Sequence, residues 1–138
     1  MVTAIAGKWK LESSENFEEY MKALNVNWHM RKIGAIAKPT ITFTISGDQW
    51  EMEIGSPETL ETTKLLFKLN EEVECVALHD EKATSIFNIV DDKILRETQK
   101  HKDAVLTVID RQLEDSNDRM VTTCTAKDVV CKRIFKRL

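Results

Sequence analysis

Apolar and polar residues alternate at the start of the chain, with Ile5, Gly7, Trp9 and Leu11 on one face and Ala6, Lys8 and Lys10 on the other. That period of two predicts a half-buried strand over residues 7–11. The period then lengthens. Phe17, Tyr20, Met21 and Leu24 follow i, i+3, i+4, i+7 spacing, with Asn16 at the N-cap position and Glu19 three residues on, which predicts a short amphipathic helix. A second helix is predicted from Asn27, with Met30, Ile33, Gly34 and Ala37 on one side. It must end before Pro39, because proline disfavours helical backbone at the preceding residue. Period two then returns. Ile41, Phe43 and Ile45 alternate with threonines, Ser46-Gly47-Asp48 supplies a turn, and Trp50, Met52 and Ile54 alternate with Gln49, Glu51 and Glu53. Further strands are predicted over residues 60–69, 71–75, 84–89, 93–98, 104–113, 120–125 and 129–136. Polar turns separate them, at Ser56-Pro57, His79-Asp80-Glu81, Asp91-Asp92 and residues 114–118.

One strand, two helices and a long run of short, evenly spaced strands predict an all-β antiparallel meander. Closing it into a barrel would remove the exposed edges. A length of 138 residues without linker, repeat or low-complexity tract predicts a single domain over residues 1–138. Composition is that of a globular chain, 42% hydrophobic and 31% charged, well away from disorder. A net charge of −3 with the signs interspersed gives no field to draw nucleic acid as the main partner. The first residues lack a basic segment leading into an apolar run, and no stretch of about 18 apolar residues occurs, so neither a secretory leader nor a membrane span is expected. Cys75, Cys124 and Cys131 are an odd number without CxxC spacing, which suits reduced thiols acting as small hydrophobes in a reducing compartment.

Motifs of catalysis are missing. The sequence has no GxSxG, HExxH or GxxxxGK[ST], and only four glycines. His29, His79 and His101 are scattered and show no metal-ligand spacing with the cysteines. No enzyme, metal or cofactor is expected.

The informative residues are two arginines. In residues 129–135 the odd positions are Val129, Cys131, Arg133 and Phe135, and the even ones include Lys132; with lysines outward, Arg133 faces inward. The same parity groups Arg111 with Val105, Thr107, Ile109 and Leu113, opposite Asp110 and Gln112. An unpaired guanidinium inside a protein costs several kcal/mol, so each needs an anionic or strongly hydrogen-bonding partner. The faces assigned inward supply few carboxylates. A ligand carboxylate is therefore one counterpart, since a planar guanidinium grips two oxygens at once. Pairing with a protein carboxylate, or a head reaching water at a barrel end, is the other reading.

At this point the chain resembles the intracellular lipid-binding protein family, which includes the fatty-acid-binding and cellular retinoic-acid-binding proteins. The resemblance is carried by Gly7-Lys8-Trp9-Lys10-Leu11, by residues 16–24 (NFEEYMKAL), by residues 30–39 (MRKIGAIAKP), by Phe67-Lys68-Leu69 and by residues 128–135 (DVVCKRIF). It implies a ten-stranded antiparallel up-and-down barrel, a clam capped by a helix-turn-helix lid at about residues 16–37, around a water-containing cavity. It further implies that Arg133 contacts the ligand carboxylate directly and that Arg111 assists, often through water. The family's Arg-x-Tyr is here Arg133-Ile134-Phe135. A hydroxyl is lost at Phe135, which weakens the grip by roughly 0.5–1.5 kcal/mol.

The resemblance makes Phe17, Tyr20, Met21, Leu24, Met30 and Ile33 the inner face of a lid, and likens Leu60 to a portal side chain. Trp9, Trp50 and Phe67 are read as structural. Lys22, Arg31, Lys32 and Lys38 form a basic patch suited to transient contact with anionic membrane, and in some family members a similar cluster resembles a nuclear-import signal. The expected function is that of a monomeric cytoplasmic carrier of a long-chain fatty acid or other hydrophobic carboxylate. The alternatives are a retinoic-acid carrier, or a barrel used mainly for protein or membrane interaction.

Overall fold

The computed structural model describes residues 2–56, 61–79, 81–114 and 116–138. A turn of 3-10 helix, Val2–Ile5, precedes β1 (Gly7–Glu15), α1 (Phe17–Ala23) and α2 (Trp28–Ile36). The strands that follow are β2 (Thr40–Ser46), β3 (Gln49–Ser56), β4 (Glu61–Phe67), β5 (Glu72–Val76), β6 (Lys82–Val90), β7 (Ile94–His101), β8 (Ala104–Glu114), β9 (Arg119–Ala126) and β10 (Val129–Arg137). They form one ten-stranded sheet in the order β4-β3-β2-β1-β10-β9-β8-β7-β6-β5. Every ladder is antiparallel, and only the β1–β10 pairing joins strands distant in sequence. The result is the nearly closed up-and-down barrel that the meander predicts.

β1 makes closure possible because its two ends serve different neighbours. Residues 7–10 pair with β2, while residues 9–15 pair with β10 across an irregularity between Leu11 and Ser13. No ladder joins β4 to β5 among the described residues. There β4 is joined to β6 instead: the rings of Phe67 and Phe87 stack with centroids 3.7 Å apart, and the backbone N–H of Asn70, just after β4, donates to the Phe87 carbonyl at 2.7 Å.

One apolar cluster gathers Trp9, Phe43, Trp50, Phe67, Phe87, Leu95 and Phe135 within the strands, with Val2 and Ile5 of the N-terminal turn packed into it. Gly7 (φ 132°) marks the junction, where an added Cβ would lie 2.6 Å from Arg137 Nη1. Arg137 donates to the carbonyls of Ala4, Ala6 and Asn117 (2.6, 3.0 and 2.9 Å) and lies over the Trp9 ring. It thereby clips the N-terminus and the β8–β9 turn to β10.

The helices depart from expectation in two respects. Asn16 does not cap α1 with its side chain; its backbone is left-handed (φ 66°) and its amide donates to the Val130 carbonyl on β10. Asn27 does cap α2, accepting from the Met30 N–H at 2.9 Å. The apolar side predicted for α2 is not buried: Met30 is exposed and Ile33 half-buried, because α2 packs chiefly on α1. Contact between the helices is close at Gly34, where a Cβ would meet Met21 Sδ at 2.8 Å. α1 takes the inner position, setting Tyr20, Met21 and Leu24 against Cys124, Ala126 and Cys131.

Candidate ligand site

Three neighbouring strands set the site. Arg111 on β8 is in register with Thr122 on β9, which is in register with Arg133 on β10. At about 4.8 Å between strands, the row holds the two arginines with Cα atoms roughly 10 Å apart. All three side chains face inward and are buried: Arg111 is 5% exposed, Thr122 4% and Arg133 8%. The alternation along β8 and β10 thus orients both arginines as it predicts.

Their partners differ. Arg111 Nη2 donates to Glu97 Oε1 at 3.1 Å, and Ser85 Oγ donates to Glu97 Oε2 at 2.9 Å. The chain of contacts continues through Ser85 Oγ to Cys75 Sγ (3.2 Å) and from Gln99 Nε2 to Cys75 Sγ (3.6 Å). Burial of the Cys75 thiol raises its pKa above the ordinary value. Glu97 is the one buried carboxylate among the described residues, and for Arg111 the protein-carboxylate reading is the one realised. β7 turns Leu95, Glu97 and Gln99 inward, because its neighbour Arg96 is held on the other face by a two-pronged pair with Asp110 across β8 (2.8 and 3.0 Å).

Arg133 has no ion pair among the described residues. Its guanidinium carbon sits 3.7 Å from the centroid of the Phe17 ring, so the first residue of α1 covers it. Burial pulls its pKa below the ordinary arginine value, yet a guanidinium keeps its proton at any physiological pH. Arg111 Nε and Nη1, Thr122 Oγ1 and Arg133 Nε are all buried without a hydrogen-bond partner. Phe135 follows Arg133 on the same face, buried among apolar side chains and in register with Leu11 and Met120.

Of the residues read as lid and portal, Tyr20, Met21 and Leu24 are buried, Phe17 and Ile33 half-buried, and Met30 exposed. Leu60 lies outside the described residues. Tyr20 Oη is 2.6 Å from Thr107 Oγ1, whose own proton goes to the Thr125 carbonyl at 2.8 Å. The phenol must therefore be the donor, and burial pushes its pKa well above that of a free tyrosine.

Sequence reading missed Glu97, Ser85 and Thr122. The stretch around β7 carries too few apolar residues to fix its parity, and a serine or threonine facing inward gives no periodic signal. Nor did it find any metal-ligating set. The turns bring His79, Glu81 and His101 together with one potential ligand atom of each within 4.8 Å of the others.

Fold and site define a lipid-carrier type of β-barrel, and comparison with known proteins agrees. Residues 6–138 match the lipocalin / cytosolic fatty-acid binding protein family, and the chain belongs to it. It is 38% identical over 137 residues to the adipocyte fatty acid-binding protein of Pygoscelis papua, covering 99% of each chain. It is 34% identical over 138 residues to sodium/calcium exchanger regulatory protein 1 of Doryteuthis pealeii, covering 100% of this chain and 99% of that one. Among solved structures, the Schistosoma mansoni fatty acid binding protein in complex with arachidonic acid superposes with a TM-score of 0.89 at 35% identity, covering 99% of this chain and 97% of that one. The resemblance read from the sequence and the carrier rather than enzyme class agree with this membership. Among the described residues no helix is long and apolar enough to cross a membrane.

Proposed function

We propose that the chain is a single-domain, monomeric cytoplasmic carrier that takes one long-chain fatty acid, or a similar hydrophobic carboxylate, non-covalently into the barrel. The carboxylate is held by Arg133, with Arg111 assisting and Phe135 alongside. The supporting observation is an imbalance of buried charge. Among the described residues the buried charged side chains are Glu97, Arg111 and Arg133, two positive against one negative. Glu97 already engages Arg111, which leaves the excess at Arg133. A monoanion at the row Arg111-Thr122-Arg133 neutralises that charge and gives acceptors to donors that make no bond within the protein.

On this reading the acid group supplies selection and the tail supplies most of the affinity. A sixteen-carbon chain gains about 0.8 kcal/mol per methylene, a gross value of roughly 12 kcal/mol, before immobilisation is subtracted. Phe17 and Ile33, half-buried in the helical pair, form the portal. Exposed Trp28 and Ile36 on α2, with Lys32 over the Trp28 ring and Lys22 and Lys38 also exposed, suit brief contact with an anionic membrane. Equal transfer rates from anionic and neutral vesicles would remove that part.

The test of the main reading is titration with a fluorescent long-chain fatty acid, repeated with Arg133→Ala and with the methyl ester of the same acid. Expected are saturable binding by the wild type, at least tenfold weaker binding of the acid by the variant, and no such loss for the ester. Absence of saturable binding by the wild type overturns the proposal. Mass spectrometry of lipid that co-purifies with the protein separates fatty acid from retinoid.

A further inference from the structure

The turn between β5 and β6 carries His79 and Glu81, and β7 ends at His101, in register with Ala104 across the β7–β8 turn. Folding brings these three side chains to one place. Glu81 Oε2 lies 3.1 Å from His101 Nε2 and 3.6 Å from His79 Nε2, and the imidazole rings stand perpendicular with centroids 5.6 Å apart. The histidine side chains are mostly covered, 12% and 24% exposed, while Glu81 is 58% exposed. All three line a surface pocket of about 360 Å³.

We propose that His79, Glu81 and His101 form a binding site for a borderline divalent transition-metal cation such as Zn2+. The donor set is two imidazole nitrogens and one carboxylate oxygen, which suits Zn2+ and its neighbours over Mg2+ or Ca2+. Around a tetrahedral ion with bonds of about 2.0 Å, adjacent ligand atoms lie roughly 3.3 Å apart. The two separations to Glu81 already fall near that length, and the third pair is within 4.8 Å, so side-chain adjustment alone completes the set.

The tautomer of His101 favours the same use. Its Nδ1 lies 2.9 Å from the Lys82 carbonyl. A carbonyl only accepts, so Nδ1 carries the hydrogen, and in the neutral ring Nε2 presents a lone pair toward the Glu81 carboxylate. This is the outer-shell arrangement that orients a metal-bound histidine. Two facing lone pairs repel unless a proton or a cation lies between them, and a single metal ion would satisfy Glu81, His101 and His79 together. His79 Nδ1 is buried and makes no hydrogen bond, so no second partner fixes its tautomer as the Lys82 carbonyl fixes that of His101, and His79 is the weaker ligand of the set. Lys127 lines the same pocket and limits affinity by like-charge repulsion. Leu24 and Asn25, just beyond α1, line it too, so a bound ion pins the β5–β6 turn to the β7–β8 turn at the edge of the helical cap.

The experiment is titration of the reduced protein with Zn2+ against a chromophoric chelator, using the wild type, His101→Asn, Glu81→Gln and Cys75→Ser. Expected are saturable one-to-one binding by the wild type, unchanged binding in Cys75→Ser, and at least tenfold weaker binding in the other two. A measurement on the unaltered protein stands beside it: one equivalent of Zn2+ should shift the imidazole nitrogen resonances of His79 and His101 while sparing His29. No saturable binding by the wild type, undiminished binding in His101→Asn and Glu81→Gln, or unmoved His79 and His101 resonances each overturns the proposal.

Discussion

Glu97→Gln separates charge from shape inside the barrel. Glutamine keeps the size of glutamate: its Oε1 can still accept from Arg111 while its amide nitrogen donates to Ser85 Oγ, whose hydroxyl turns away, but it removes the negative charge facing two buried arginines. Breaking a buried pair by removing one charge costs about 3–5 kcal/mol. With the hydrogen bonds conserved, the lower end, about 3 kcal/mol, is expected for the ligand-free protein, a fall in Tm on the order of 10 °C. Ligand should act in the opposite sense. In the wild type Glu97 repels an incoming carboxylate; at roughly 8 Å and an effective dielectric of about 20, that repulsion is ~2 kcal/mol. Its removal should tighten fatty-acid binding about thirtyfold. Urea denaturation with and without a saturating fatty acid, and again with its methyl ester, reads both effects. The acid should stabilise the variant more than the wild type, and the ester should stabilise both alike. Equal stability of the two ligand-free proteins, or equal gains from acid and ester, refutes the reasoning.

Phe135→Tyr places a hydroxyl next to Arg133 and should tighten carboxylate binding roughly two- to tenfold by titration, following the 0.5–1.5 kcal/mol of a neutral hydrogen bond. Tyr20 is the sole tyrosine, so ultraviolet absorbance of the phenolate follows it alone. Because burial raises its folded-state pKa, its contribution is complete below the ordinary tyrosine value of about 10 and is lost as pH climbs above that. Tyr20→Phe should accordingly lose about 1 kcal/mol at pH 7 and unfold less steeply in alkali. Gly7→Ala meets both a positive φ and Arg137 Nη1 and should cost about 2 kcal/mol by chemical denaturation. Burial raises the Cys75 pKa, so at pH 8.5 its alkylation, followed by mass spectrometry, should run slower than that of an unfolded-state cysteine.

Most of the architecture is written in local periodicity. Strict alternation in residues 41–54 and 129–135 gives strands and faces directly, and Pro39 fixes where α2 must end. The inward placement of Arg111 and Arg133 follows from the lysine, aspartate and glutamine residues that alternate with them. What periodicity leaves open depends on contacts between segments. Glu97 faces inward because of a neighbour's bond across β8, Asn16 bonds to a strand more than a hundred residues away, and His101 meets His79 only once two turns are folded side by side. The exposed apolar side of α2 is a further case, because a helical stripe specifies a buried face without specifying that another helix already occupies the position against the barrel.

The seam between β4 and β5 has a mechanical consequence. Elsewhere around the wall, widening the barrel would strain whole backbone ladders; along this line it meets one backbone hydrogen bond, Asn70 to Phe87, and one aromatic pair, worth about 0.5–1.5 kcal/mol beyond its buried area. Phe67 and Phe87 therefore act as a clasp in an otherwise stiff hoop. Girth can adjust there while the arginine row, on β8 to β10 rather than at the clasp, keeps its geometry.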